Sequence, residues 1–407
     1  MAGKQLGPLL LGGLMIGPIL GSGIIILPPL VFEVTGGWAL PAWVLIITVS
    51  FFFASIFGRL SILFPGDAGV MDAVEDAFGT RIKQLASLYL VGAVLFGPVA
   101  VVLTAASYLQ FASSLSTAVI ALPLLLFCTC LLLLQVTSIG RISLVISTLV
   151  VLILFSGGIA TLLFHHRPVE PLPSFVPRQF GYGLLLLFWT VVGWEVVGNY
   201  SGDIREPEKT IPRAVTVSVL LMAAVSLTVA AAIQLVSPDM VGEKLNVAAI
   251  IRPLFGAASD TVMALLAAGL CITSYLLFTG AVARLLASLA GSGYLPALLA
   301  RKSKTGAPAV AVLGLTLVHL AVLAAVHAGI ADIEKLVALA DGFFIANALT
   351  GILAAVRILD NGVLRTAAMI LSVIFCMILL HAAVPVIVSV VLAAVFFSVP
   401  GFGMRDR

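Results

Sequence analysis

Charge is scarce in this sequence. Asp, Glu, Lys and Arg make up 10% of its 407 residues, against roughly a quarter in a soluble domain. They are absent altogether between Lys4 and Glu33, between Lys83 and Arg141, and between Arg365 and Arg405. With 61% hydrophobic residues, the chain has too little polar surface to cover a water-exposed globule, so it reads as an all-α integral membrane protein. At about 20 residues per crossing, the first gap holds one span. The other two hold two each, hinged at 113–117 and 381–385. Cysteine is scarce too. Cys128, Cys130, Cys271 and Cys376 all fall within expected spans, which points to packing and to neither disulfide nor metal. There is no nucleotide loop, hydrolase triad, thiol or metal cluster, or acid–base pair on facing helices, and His165-His166 lacks a third ligand. Neither an enzyme nor a cofactor is expected, nor a nucleic-acid partner.

Twelve stretches read as spans: 6–31, 38–64, 84–112, 117–137, 141–164, 181–203, 212–236, 258–289, 308–326, 332–357, 365–381 and 384–402. No flexible linker or low-complexity tract separates them, so 1–407 reads as one transmembrane domain. The first segment is too long for a secretory signal, lacks a small-residue cleavage site and contains Pro28-Pro29, so it is expected to remain uncleaved. With the N-terminus inside, only Arg167, Arg178, Lys244, Arg252 and Lys335 fall in outer loops. The remaining Lys and Arg collect on the inner side, from Lys4 through Arg59, Lys83, Arg284 and Lys302 to Arg405 and Arg407. The positive-inside rule then puts both termini in the cytoplasm and favours an even number of spans.

Glycine is plentiful, and its placement is the strongest signal. Gly12, Gly13, Gly17, Gly21 and Gly23 crowd the first span with Pro18, and the sixth carries Val192-Gly193-Trp194-Glu195. Close helix packing explains part of this, since Gly17 and Gly21 form a small-xxx-small pair. It does not explain Gly21-Ser22-Gly23 directly before the bulky run 24–27. A break there exposes backbone that lipid cannot satisfy, so it must line a cavity. The amides of Ser22, Gly23 and Ile24 would open a new half-helix, a natural site for a carboxylate. Unwinding at Val192-Gly193 would free the carbonyls of Trp189 and Val192 for an ammonium group. Donors for a carboxylate facing acceptors for an amine describe an α-amino acid. Two such breaks in corresponding halves are the sign of a secondary transporter with a midplane site.

Four motifs occur together: Gly21-Ser22-Gly23-Ile24; Phe188-Trp189 with Val192-Gly193-Trp194-Glu195; Arg205-Glu206-Pro207-Glu208-Lys209 through Ile211-Pro212-Arg213-Ala214; and Pro65-Gly66-Asp67-Ala68-Gly69 up to Phe78-Gly79. In these, over nearly its whole length, the chain resembles the amino acid–polyamine–organocation superfamily, and within it the small bacterial amino acid efflux proteins. The resemblance implies a leucine-transporter-type fold with discontinuous first and sixth helices. Five-helix repeats over 6–164 and 181–357 would be mutually inverted, with two peripheral helices over 365–402. It also implies alternating access in the bacterial inner membrane, with export or antiport driven by protons or counter-substrate. The backbone at Gly21, Ser22, Gly23 and Ile24 would take the carboxylate. The carbonyls of Ile19, Trp189 and Val192, beside Gly193, would take the amine, with the Trp189 ring as a lid. Trp194 is bulkier than this pattern leads one to expect, which bears on pocket volume.

Other residues carry paired readings. Glu195, inside the membrane, is either a proton-sensing or coupling group or a structural hydrogen-bonding one, with partners expected on neighbouring helices. Asp341 is either a titrating group at the outer gate or simply near the interface. Thr273-Ser274 has the spacing at which sodium-coupled relatives supply two hydroxyl ligands, yet such hydroxyls commonly bond back to the preceding turn. Proton-coupled relatives place a lysine in span five; here 141–165 has none. Thr104, Ser107, Trp189, Ser274 or Leu277, and Phe343, Phe344 or Asn347 are expected to touch the substrate side chain. With no carboxylate obviously among them, neutral, mainly apolar amino acids are favoured, and a sodium-coupled importer is the alternative. The segment 67–79 reads as an amphipathic interfacial helix whose acids pair with Arg59, Arg81 or Lys83, as a solvated face or a gate. The run at 301–304 reads as a topology determinant facing anionic lipid. Oligomeric state leaves no mark in the sequence.

Overall fold

The computed structural model describes residues 6–21, 23–110, 115–168, 171–236, 245–382 and 384–398. Lys4, Ser22, Lys244, Arg405 and Arg407, named above, and positions 113–114 of the first hinge lie outside the described residues. Fifteen α-helices are seen among them: α1 (Pro8–Leu20), α2 (Gly23–Thr35), α3 (Ala39–Leu63), α4 (Met71–Phe78), α5 (Thr80–Leu109), α6 (Thr117–Leu132), α7 (Val136–Phe164), α8 (Pro177–Phe188), α9 (Pro207–Leu235), α10 (Ala248–Phe255), α11 (Ser259–Gly291), α12 (Ala309–His327), α13 (Ile333–Ile358), α14 (Gly362–Leu379) and α15 (Val384–Ser398). Eight helical stretches among the described residues are long and apolar enough to cross a membrane, and Pro8–Gly17, Thr117–Leu132 and Val386–Val395 are shorter apolar helices. The protein is a multi-pass membrane protein.

Local chemistry sets several helix starts. Pro207 opens α9 at its first position, where its missing amide costs nothing. The Asp332 carboxylate accepts from the Lys335 amide (2.8 Å) ahead of α13, and Asn361 Oδ1 accepts from Val363 and Leu364 (3.0 and 3.2 Å) ahead of α14. The long α5 and α11 form the centre, packing on each other, with α13 and α4 also against α5. Outer helices turn large apolar side chains outward, among them Leu152 and Leu163 of α7, Leu317 of α12 and Val373 of α14. Cys128 and Cys271 are buried, but Cys130 and Cys376 lie exposed on helix surfaces. The expectation that all four pack inside is corrected for those two. No sequence signal had marked α10, whose eight residues contain Arg252-Pro253.

The interfacial helix α4 buries Met71, Ala73 and Val74. Of the three expected cations, Lys83 binds its acids, with Nζ 2.8 Å from Asp72 Oδ1 and 2.6 Å from Glu75 Oε2. Arg59 instead lines a groove with Glu208 and Pro212 between α3 and α9. Partial burial works to raise the Glu75 pKa, but hydrogen bonds from Lys83 and Thr80 and the Lys83 charge hold it below its ordinary value. A carboxyl depressed on folding stabilises above its unfolded pKa, and that contribution is lost as pH falls through the folded value. Glu75→Gln should therefore lower the unfolding temperature at neutral pH and match the wild type well below about pH 4. Thermal unfolding across an acid pH series checks this; a gap unchanged in acid would assign the effect to packing.

Candidate functional site

The first break is built on a glycine. α1 closes where the Gly21 amide donates to Gly17 O at 2.7 Å, and Gly21 then takes φ 45°, ψ −154°, a region open chiefly to glycine. α2 opens at Gly23, so the amides of its first turn have no partner within the helix. In the other half, α8 closes at Phe188, residues 189–194 form turns, Gly193 has φ 122°, and tight 3-10 turns run over Glu195–Asp203. The two breaks meet. A Cβ built on Gly23 would stand 3.2 Å from Trp189 Cδ1, and one on Gly193 would stand 3.2 Å from Ile19 Cγ1.

Beside this junction lies a cavity lined by Gly97, Pro98 and Val101 of α5, Trp189 and Val192 of the break, Ser274 and Phe278 of α11, and Phe344 of α13. Its volume is about 10 Å³, enough for one water. The conformation is therefore closed down: a larger solute requires these walls to part. Among the described residues, no charged side chain lines it.

Of the residues expected here, Trp189, Val192, Ser274 and Phe344 line the cavity, while Ile19, Gly23 and Ile24 are buried at the junction. Others lie elsewhere. Thr104 donates to Ala100 O (2.9 Å) and Ser107 to Thr104 O (2.7 Å), both back onto α5. Phe343 packs on Gly92 and Tyr89, because neighbouring residues of a helix diverge by about 100°. Leu277, by contrast, stays at the junction: its Cδ2 would lie 4.0 Å from a Cβ on Gly193, while its carbonyl accepts from the Tyr200 hydroxyl at 2.9 Å. Trp194 does not reduce the cavity: its indole donates to Ser50 Oγ of α3 at 2.8 Å. Sequence reasoning missed Gly97, Pro98, Val101 and Phe278, although Gly97-Pro98 in mid-span was itself a helix-weakening signal.

Glu195 is held differently from expectation. Its Oε2 accepts from the amide of Gly193 at 2.9 Å, inside its own turn, and Oε1 is buried without a partner among the described residues. It shares a narrow crevice with Phe57, Asn199 and Asn347, so Asn347 belongs with Glu195 and away from the cavity. Asp341 stands about one turn before Phe344 on α13, its Oδ1 buried and unpartnered among the described residues. Thr273 and Ser274 both donate to Leu270 O, at 2.8 and 3.0 Å. Thr273 also faces α1, where a Cβ on Gly17 would lie 2.8 Å from its hydroxyl.

At the end where the basic residues gather, a polar cleft of about 330 Å³ opens between α6, α7, α11 and α12. Arg284 sits in its wall, 3.2 Å from Asp67 and 2.7 Å from Asp203, with its guanidinium 4.8 Å from the centre of the Tyr200 ring. Lys302 reaches Asp67 at 2.8 Å, which ties this residue of the basic run at 301–304 into the cluster. The cluster joins the loop after α3, the end of the second break, α11 and the loop before α12.

The sequence profile of the family described as amino acid permease matches residues 6–404. An uncharacterized amino acid permease of Bacillus subtilis, YecA, is 28% identical over 194 residues, 46% of this chain and 45% of that protein. The chain thus spans under half the length of that relative. The L-methionine/branched-chain amino acid exporter YjeH of Escherichia coli is 26% identical over 345 residues, 82% of this chain and 81% of that protein. An all-helical membrane fold with two broken helices meeting at a buried cavity agrees with that profile. The chain belongs to the amino acid permease family of the amino acid–polyamine–organocation superfamily, a family of transporters and not of enzymes.

Proposed function

We propose that the chain is a secondary active transporter that carries neutral, mainly apolar α-amino acids by alternating access, as an exporter or exchanger. The observation that carries this reading is the junction of Gly23 with Trp189, where the start of one broken helix meets the turn of another beside a cavity. The lining, in which the polar side chains among the described residues are those of Trp189 and Ser274, supports an apolar substrate. The similarity to an exporter of methionine and branched-chain amino acids supports both the substrate class and the direction.

Packing supports two inverted repeats within a twelve-span fold. Exchange α1–α2 with α8 and its following turns, α3 with α9, α4 with α10, α5 with α11, α6 with α12 and α7 with α13. The pair α5–α13 then becomes α11–α7, α4–α13 becomes α10–α7, α4–α5 becomes α10–α11, and α3–α8 becomes α9–α1; every one of these contacts is present. The two eight-residue helices α4 and α10 fall in equivalent places. α14 and α15 stand outside the exchange as the peripheral pair. The uneven distribution of Lys and Arg supports both termini being cytoplasmic, and the bacterial sources of the two relatives support a bacterial inner-membrane placement.

The test is counterflow in proteoliposomes, with labelled leucine outside and each standard amino acid inside. Saturable acceleration by leucine, methionine or their like is expected; no trans-stimulation by any amino acid would end this reading. Sodium-coupled import is the second reading, favoured by the approach of Thr273 to Gly17 of α1. Since the Thr273 hydroxyl is engaged with Leu270 O, Thr273→Ala should leave leucine counterflow intact and equal with or without sodium. A sodium requirement in the wild type that Thr273→Ala removes would select the importer.

A further inference from the structure

Pro98 lies in the interior of α5, at the cavity wall. Proline has no amide hydrogen, so the carbonyl one turn earlier, that of Val94, loses its helical donor. Inside a bilayer no bulk water replaces it. Here a side chain from another helix does. His319 of α12, fully buried, sets Nε2 2.8 Å from Val94 O. Its other ring nitrogen, Nδ1, is 2.9 Å from the Tyr275 hydroxyl of α11, and the two rings meet edge to face. A carbonyl can only accept, so Nε2 carries the proton; in the neutral ring Nδ1 then accepts, and Tyr275 donates to it. One imidazole thereby links α5, α11 and α12 with both of its nitrogens paired. It does not line the cavity, yet Val94 is one turn from Pro98, and Tyr275 adjoins Ser274.

We propose, resting on the reading of this cavity as the amino acid site, that His319 is a positioning residue which fills the gap Pro98 leaves in α5 and so fixes the proline turn opposite Ser274. Two consequences separate this role from general packing. The loss on removing His319 depends on residue 98 being proline, and a side chain that can still donate to Val94 O restores function.

The experiment is a double-mutant cycle read by leucine counterflow. His319→Ala should raise the half-saturating leucine concentration about tenfold, the scale of one orphaned buried carbonyl, with a smaller change in maximal rate. His319→Gln, whose amide can donate, should recover most of this. Pro98→Ala returns an amide to Val94 O, so adding His319→Ala to it should cost less than about threefold beyond Pro98→Ala alone. Equal losses on both backgrounds, or no loss on either, would overturn the proposal. Should His319→Ala fail to fold, the cycle is read as thermal stability. Recovery of folding by Pro98→Ala then supports the proposal, and failure of both variants assigns His319 to general packing and overturns it. Absence of wild-type counterflow would sink the substrate reading; intact counterflow with positions 98 and 319 uncoupled would sink this one.

Discussion

Gly23→Val is expected to abolish saturable leucine binding and counterflow while leaving a folded protein. A Cβ at this position would stand 3.2 Å from Trp189 Cδ1 and 3.4 Å from both Leu27 Cδ1 and Thr190 Cγ2. Alanine needs those neighbours to yield by a few tenths of an ångström, so Gly23→Ala should cost no more than about tenfold in affinity. Valine adds two branches that cannot share the space with the indole. It either drives Trp189 away or covers the first amides of α2, and both outcomes remove the proposed carboxylate seat. Losing charge-assisted hydrogen bonds worth about 3 kcal/mol at that seat corresponds to a loss of roughly a hundredfold or more in affinity. Binding of labelled leucine to purified protein, with thermal unfolding as the folding control, measures it. Wild-type affinity in Gly23→Val would mean that the substrate seat is elsewhere.

Arg284→Gln should be the most destabilising single change in the polar cleft. The Arg284 side chain is 13% exposed and faces two carboxylates, whereas Lys302, also paired with Asp67, is 51% exposed. Removing one partner of a buried pair leaves charge uncompensated, at a cost of 3–5 kcal/mol or so. The adjoining cleft admits water, which places Arg284→Gln near about 3 kcal/mol. Lys302→Gln removes a solvated pair and should cost about 0.5 kcal/mol. Adding Asp203→Asn to Arg284→Gln should recover part of the loss, because Asp203 is the carboxylate left stranded while Asp67 keeps Lys302. Thermal unfolding of these three variants beside the wild type settles the ranking; equal losses from Arg284→Gln and Lys302→Gln would show that burial does not govern this cluster. The same ties hold together the loops flanking the second break, so Arg284→Gln is also expected to alter the counterflow rate.

The positions of the helices were legible because lipid imposes length and apolarity, and charge-free runs record both. α10 was not, since eight residues containing Arg252-Pro253 fall below any such signal. The breaks were legible for a related reason: glycine in mid-span has no other strong use than close approach or irregular backbone. The side chains around them were less so. On a soluble helix a polar stripe marks the outer face, but α5 is apolar on nearly every side, so its sequence does not say which face turns inward. Thr104 and Ser107 were attractive because they were polar. Lipid-depth hydroxyls can satisfy themselves on their own helix, and these do, leaving Gly97, Pro98 and Val101 to form the wall.

Sequence by itself determined that this is a helical membrane protein, interrupted near Gly21–Gly23 and at Val192–Gly193. Only the tertiary structure decided that the interruptions touch, that Trp194 turns to Ser50, that Glu195 serves the Gly193 amide and that His319 answers the proline in α5. Each of these depends on how far one helix is rotated against another, and that rotation is set by the sum of many small packing contacts between distant positions, which no local pattern of residues encodes.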